Sequence, residues 1–284
     1  MDRNGSLKIN SVKIYKAICT SIMLLFSLIW ISPILLTLIT SIKTDKDVIT
    51  NPFSLPIYPV FQAYSAAWNV LQIDKLLFNS MFYSFAGTAL AIILAIFPAY
   101  LFTKFYVPAG NLLFVILLVG LAIPQQTFII PLYDVMRNFK LLDNRLGIII
   151  VHAVFGLPFE LLIFVSFLSN IPNELLDSAR IDGGSNLGIL RYIIVPLLSP
   201  AIAAGFLVNS IGVWKEYFFA LIFLNKPDLM PMTVGITQVI GGKYTSAWSI
   251  PAAAVIISQI PLFITVMLAY RWIKEGIFSG AVKG

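Results

Sequence analysis

Charge is scarce in this sequence: of 284 residues only 11% are Asp, Glu, Lys or Arg, while 59% are apolar. Soluble domains carry about 25% charged and 45–50% apolar residues, so the chain cannot cover itself with a hydrated surface. Its solvent is a bilayer. Cysteine and histidine are nearly absent too. Cys19 is the sole cysteine, which excludes a disulfide within the chain, and it cannot with one histidine supply the three or four ligands of a zinc site. Segments of ~10 residues with alternating polarity, the mark of a membrane β-barrel, are missing. The apolar runs are 20 or more residues long and apolar all round, which specifies an all-α integral membrane protein.

Signatures of chemistry are also lacking. Binding ATP through a phosphate-cradling loop takes Gly-x-x-x-x-Gly-Lys-Ser/Thr, whereas Gly242-Lys243 lacks the leading glycine and continues to Tyr244. There is no His-Glu-x-x-His, no Gly-x-Ser-x-Gly and no pair of intramembrane aspartates. His152 stands alone in an apolar stretch, which suits a hydrogen-bonded structural role. The chain is expected to be no enzyme by itself and to hold no cofactor. The net charge of +6 fits lipid-headgroup contact and topology rather than nucleic acid.

Six stretches are long enough to cross ~30 Å of hydrocarbon at about 1.5 Å per residue: residues 17–42, 78–103, 111–133, 146–168, 197–224 and 250–273. An even number places both ends on one side. Arg3, Lys8, Lys13 and Lys16 precede the first stretch and favour cytoplasmic termini, whereas Arg137, Lys140 and Arg145 oppose that orientation. The first stretch contains Pro33 and no small-x-small cleavage site, so it is expected to be a retained span. This divides the chain into a cytoplasmic tail 1–16, a six-span domain 17–274 and a cytoplasmic tail 275–284. Pro33, Pro98, Pro124, Pro131, Pro158, Pro251 and Pro261 interrupt the spans, and the carbonyls they free must find partners in protein or in a wet cavity.

Between the fourth and fifth stretches, residues 171–195 are too short and too punctuated to span. Asn173 after Pro172 suits an N-cap, Glu174 and Asp177 sit where a helix dipole favours anions, and Gly183-Gly184 offers the positive φ that ends a helix. Ser185 suits the cap of a second short helix ending near Pro196. Leu175, Leu176 and Ala179 form an apolar stripe, with Glu174, Asp177, Ser178 and Arg180 on the remaining surface. Such a helix either rests on its own bundle or enters a partner's groove.

Ionisable groups inside spans are functional candidates by default; here they are Glu160, Lys215 and Glu216. In a continuous helix Asn209, Gly212, Val213 and Glu216 share one face, suited to a hydrated path, while Lys215 points elsewhere. Gln125 and Gln126 follow Pro124, where a broken helix would offer side-chain amides and free carbonyls as hydrogen-bond partners. The alternative is that these groups only join helices through hydrogen bonds.

Several segments resemble ABC-importer permeases of the carbohydrate, maltose-type family. Asp177-Ser-Ala-Arg-Ile-Asp-Gly183, followed by Ile193-Ile-Val-Pro196, is similar to that family's Glu-Ala-Ala…Gly…Ile-x-Leu-Pro loop. Ile123-Pro-Gln-Gln-Thr-Phe-Ile-Ile-Pro-Leu-Tyr133 resembles its third span, and Trp214-Lys-Glu-Tyr-Phe-Phe-Ala-Leu221 its Trp-Asn-Glu-Phe segment. Gly280-Ala-Val-Lys-Gly284 is similar to the C-terminal tail of the MalG-like subunit. Asp177 replaces the usual Glu, Ser178 the first Ala, Leu190 an aromatic and Lys215 an Asn.

The resemblance implies a cytoplasmic coupling helix that docks on a separate ATPase through Glu174, Asp177, Ser178, Ala179, Arg180, Asp182, Gly183 and Gly184. It implies a translocation path formed with Gln125, Gln126, Asn209, Gly212, Trp214 and Glu216. The 225–249 connection, with Lys243, Tyr244 and Trp248, would face an extracytoplasmic sugar-binding protein, and the tail with Lys283 would lie along the ATPase. Implied partners are a second homologous permease subunit, two ATPase subunits, that binding protein, lipid and a carbohydrate, with the plasma membrane as location. The competing expectation is an ion- or proton-coupled secondary transporter that uses Glu160 or Glu216.

Overall fold

The computed structural model describes the backbone of residues 3–240 and 248–281 and the side chains of residues 15–238 and 248–268. Among them every regular element is helical. In chain order these are α1 (Arg3–Ser41), α2 (Asp45–Thr50), α3 (Gln62–Leu71), α4 (Ile73–Lys104), α5 (Gly110–Val119), α6 (Ile129–Asn138), α7 (Arg145–Leu168) and α8 (Asn173–Ile181). They continue with α9 (Asn186–Ile189), α10 (Val195–Leu197), α11 (Ser199–Lys215), α12 (Phe218–Phe223), α13 (Met232–Ile240) and α14 (Ser249–Ala281). Four segments are long and apolar enough to cross a membrane, at Tyr15–Ser41, Ile73–Lys104, Arg145–Leu168 and Ser249–Leu268. A fifth arises if Asn186–Leu197 and Ser199–Lys215, bent by 68°, are one broken span.

The chain divides into two units, the first comprising residues 1–70 and 240–257. Its α1 runs unbroken through Pro33. Proline cannot bond the carbonyl four residues back, and Ser32 Oγ fills that vacancy by donating to Ile29 O at 2.8 Å. Below α1 the chain turns around Lys43, which is 2% exposed. A buried ammonium is tolerated only when its donors are satisfied; Lys43 Nζ donates to Asn51 O (2.8 Å), Pro52 O (3.2 Å) and Ser54 Oγ (3.2 Å). Asp45 Oδ1 accepts from Ser249 Oγ at 2.7 Å and from Ser249 N at 3.1 Å, tying α2 to the start of α14.

The second unit comprises residues 71–239 and 258–284, and its centre is α4 packed on α7 with α11 against both. Without a hydrophobic drive between helices in lipid, close packing of small residues does the work. Ser80, Ser84, Gly87, Thr88, Ala91, Ala95 and Ala99 form such a buried stripe on α4. At Gly87 a Cβ would stand 2.9 Å from His152 Cβ, so His152 is a packing residue of this helix pair. Pro98 and Pro158 lie within continuous helices, so at these positions the expected interruption does not occur.

Two of the six apolar stretches are not continuous helices. The third ends as α5 at Val119, turns through residues 120–124, and resumes as a 3₁₀ turn, Gln125–Phe128, leading into α6. Pro124 has φ −56° and ψ 124°, and a proline also disfavours helical backbone in the residue before it. The fifth stops at Lys215, because Glu216 has ψ 135°. Hydropathy does not register either break, since both are backbone events inside apolar sequence.

Candidate docking segment and intramembrane polar centre

Residues 171–198 form an excursion from the bundle. Helix α8 begins at Asn173 with Pro172 in the N-cap position, φ −61° and ψ 141°, so the cap lies one residue earlier than the side-chain chemistry of Asn173 suggests. The Asn173 side chain serves as an anchor instead. Lys104 Nζ donates to its Oδ1 at 3.1 Å and to Ile171 O at 2.6 Å, holding the turn against the end of α4. The helix ends in a Schellman motif. Gly183 adopts φ +83°, Gly184 N donates to Ala179 O at 2.9 Å and Gly183 N to Arg180 O at 3.0 Å. Both glycines are required, Gly183 for its left-handed backbone and Gly184 because a Cβ would stand 2.7 Å from Ala179 O.

One face of α8 meets the bundle. Leu176, 2% exposed, enters a core with Tyr100, Phe164, Leu168, Ile189 and Ile194, and Ala179 packs at its edge. Leu175, expected in the same stripe, is exposed instead, because one residue further along a helix turns about 100° from its neighbour. The outer surface carries Glu174, Asp177, Ser178, Arg180 and Asp182, all exposed, with Ile181 85% exposed at the tip. Arg180 Nη1 pairs with Asp177 Oδ1 at 2.9 Å, and its guanidinium lies 5.6 Å from the Phe105 ring centre. Ser185 Oγ accepts from Gly188 N at 3.1 Å and caps α9. A π turn at Leu190–Ile194 then leads through α10 to α11.

The polar groups within the spans occupy several places. Glu160 is fully buried, and its Oε1 accepts from Asn209 Nδ2 at 3.2 Å. Glu216 does not share a helical face with Asn209, Gly212 and Val213, which is a correction to the continuous-helix expectation. Its Oε1 accepts from Phe219 N at 2.8 Å and its Oε2 from Ala220 N at 3.2 Å. The carboxyl satisfies the first donors of α12, a local bonding choice that competes with continuing α11. Trp214 is buried, Gly212 and Lys215 are exposed, and Gln125 and Gln126 are exposed on the 3₁₀ turn after Pro124. Trp248 is half exposed beside Ser249. Lys243, Tyr244 and Lys283 lie outside the described residues.

A polar cluster that sequence reasoning missed sits where α4 and α7 begin. Asn79, 1% exposed, donates to Asp228 O at 2.9 Å and Met230 O at 3.0 Å, and its Oδ1 accepts from Arg145 Nη2 at 3.0 Å. Tyr83 OH donates to Leu229 O at 2.8 Å, and Ser80 Oγ accepts from Met232 N at 2.8 Å. Asp143 Oδ1 accepts from Asn225 N and Lys226 N. The 225–232 connection is thus fastened to α4 and to the turn before α7. Lys75 Nζ lies 2.8 Å from Asp228 Oδ1 and holds that carboxyl below its usual range. The available signal was Asn79 itself, an amide at the second position of the apolar run 78–103.

The chain as a whole is similar to known proteins. The family model described as binding-protein-dependent transport system inner membrane component matches residues 87–279. The chain belongs to that family. It is 30% identical over 278 residues to the sulfoquinovosyl glycerol transport system permease protein SmoH of Agrobacterium fabrum, covering 96% of this chain and 95% of that one. It is 27% identical over 270 residues to the diacetylchitobiose uptake system permease protein NgcG of Streptomyces coelicolor, covering 95% and 89%. A crystal structure of a bacterial ABC transporter involved in import of the acidic polysaccharide alginate contains a chain of the same fold. The TM-score is 0.80 at 24% identity, with 92% of this chain and 97% of that one covered. The resemblance read from the 123–133, 177–196 and 214–221 segments therefore lies within a family match, together with an all-helical membrane permease fold.

Proposed function

We propose that this chain is the permease subunit of an ATP-driven importer for a carbohydrate, one half of a translocation path shared with a second homologous permease. Two ATPase subunits, carrying ATP and Mg, dock on the α8 segment from the cytoplasm, and an extracytoplasmic sugar-binding protein delivers the cargo. The chain crosses the plasma membrane six times with both termini cytoplasmic, its third crossing being the broken α5–α6 segment. Nucleotide closes the ATPase pair, the α8 segments are drawn together, and the two permeases rock as rigid bodies between inward- and outward-open states.

The observation that carries this reading is the form of α8, anchored through Leu176 and stopped at Gly183, with an exposed outer surface of Glu174, Asp177, Ser178, Arg180 and Ile181. Family membership supports it. Relatives named for sulfoquinovosyl glycerol and diacetylchitobiose support a sugar as cargo. Purification from the native membrane tests it: an ATPase pair and a second permease are expected to co-purify, with hydrolysis stimulated by loaded binding protein. Isolation of the chain alone, with uptake driven by an ion gradient, would support the secondary-transporter reading centred on Glu160 or Glu216.

A further inference from the structure

Helix α7 leads into the docking excursion and α11 leads out of it. On α7, Gly156 and Glu160 stand one turn apart; on α11, Gly205 and Asn209 do the same. The two pairs interlock crosswise. The Asn209 amide fills the space a Cβ on Gly156 would need, and the Glu160 carboxyl fills the space a Cβ on Gly205 would need. These contacts set an antiparallel register, with Gly156 opposite Asn209 and Glu160 opposite Gly205. Glu160 Oε1 accepts from Asn209 Nδ2 at 3.2 Å, and Oε2 is buried with no partner. Counted at ~1.5 Å per residue, Glu160 stands about 12 Å from the end of α7 and Asn209 about 15 Å from the start of α11. The interlock therefore joins both arms of the hairpin at one height above the docking segment.

We infer that this reciprocal pair is a pin that makes α7, the docking segment and α11 move as one lever, with Glu160 and Asn209 as positioning residues. The inference rests on the docking reading above. Force applied at α8 reaches α7 first and tends to shear it along α11. A slide of one turn would carry the Glu160 carboxyl from Gly205 to Ala201 or Asn209, where a Cβ occupies the slot, and the slide towards Ala201 would also separate the two polar groups inside the bundle. In hydrocarbon a separated amide and carboxyl have no water to replace the lost bond. Packed interfaces of this kind hold one arrangement or switch to another and do not deform continuously. Glycine at 156 and 205 is what admits the polar side chains.

The test uses the complex purified with its ATPase and reconstituted in lipid. Spin labels are placed at Val154→Cys on α7 and Val208→Cys on α11, both exposed, in a Cys19→Ser background. The label-to-label distance is measured without nucleotide and with ATP plus vanadate. One narrow distance, equal in both states, is expected for the otherwise unaltered chain. Asn209→Ala and Glu160→Leu are expected to broaden or shift it on nucleotide addition, while Glu160→Gln, which keeps an acceptor for Asn209, leaves it narrow. A nucleotide-driven shift of about 5 Å, one helical turn, in the otherwise unaltered chain would overturn the inference. So would variants indistinguishable from it, or loss of the narrow distance in Glu160→Gln. Should Glu160→Leu fail to assemble, Asn209→Ala decides. Absence of the ATPase from the unaltered preparation would instead defeat the docking reading, so the two failures are distinct.

Discussion

The two ends of the α4–α7–α11 bundle are built from opposite chemistry. Where α4 and α7 begin, side chains reach across to the backbone of a distant segment, with Asn79, Tyr83, Ser80 and Asp143 together holding residues 225–232. At the other end, α8 stands on the apolar foot of Leu176 and the two bonds of Lys104, and its charged surface faces outward. Polar bolts to backbone carbonyls and amides fix a segment in one geometry because breaking them leaves buried groups unpaired. An apolar foot fixes position while leaving the opposite surface free for a partner. One end is a frame and the other, on the proposed docking, an input.

Replacing Asn79 by Leu should break the frame most severely. It strands the buried Met230 O at about 1–3 kcal/mol and removes the part-buried bond from Arg145 Nη2. The thermal midpoint of the purified chain should fall by several degrees, and an unchanged midpoint would remove the distinction between the two ends. Gly183→Val should act on the input alone. Forcing a β-branched residue into left-handed backbone costs about 1–2 kcal/mol locally, so sugar uptake should be lost while membrane insertion stays normal. The smallest effect belongs to the Lys75–Asp228 pair at the frame's exposed rim. The Asp228 carboxyl is held below its usual value by Lys75. Its contribution is therefore present above the unfolded carboxylate pKa, about 3.9, and is lost as pH falls through the lower folded value. The midpoint difference between the unaltered chain and Asp228→Asn should be flat at neutral pH and vanish in strong acid.

The input end was the more legible in sequence, because its boundaries are set by local backbone chemistry. Pro172 and Gly183 start and stop α8 wherever they occur. The frame end was hidden, since the carbonyl partners of Asn79 lie about 150 positions away and Arg145 lies 66 away, and one sequence carries no sign of that pairing. The helical-wheel reading of Glu216 failed for a related reason. It assumed continuity, whereas the carboxyl takes the Phe219 and Ala220 amides and the helix ends before it. Long apolar runs located α1, α4, α7 and α14 well, yet hydropathy is blind to the break at residues 120–124. The Gly156–Glu160 and Gly205–Asn209 spacings are plain in the chain, but only the antiparallel register shows that they interlock.

The most direct measurement is a photo-crosslink from position 178 on the outer surface of α8, carried out in native membranes. One dominant adduct is expected, larger by the mass of an ATPase subunit and abolished when that subunit is removed. Adducts confined to this chain's own helices or to lipid would contradict docking on α8.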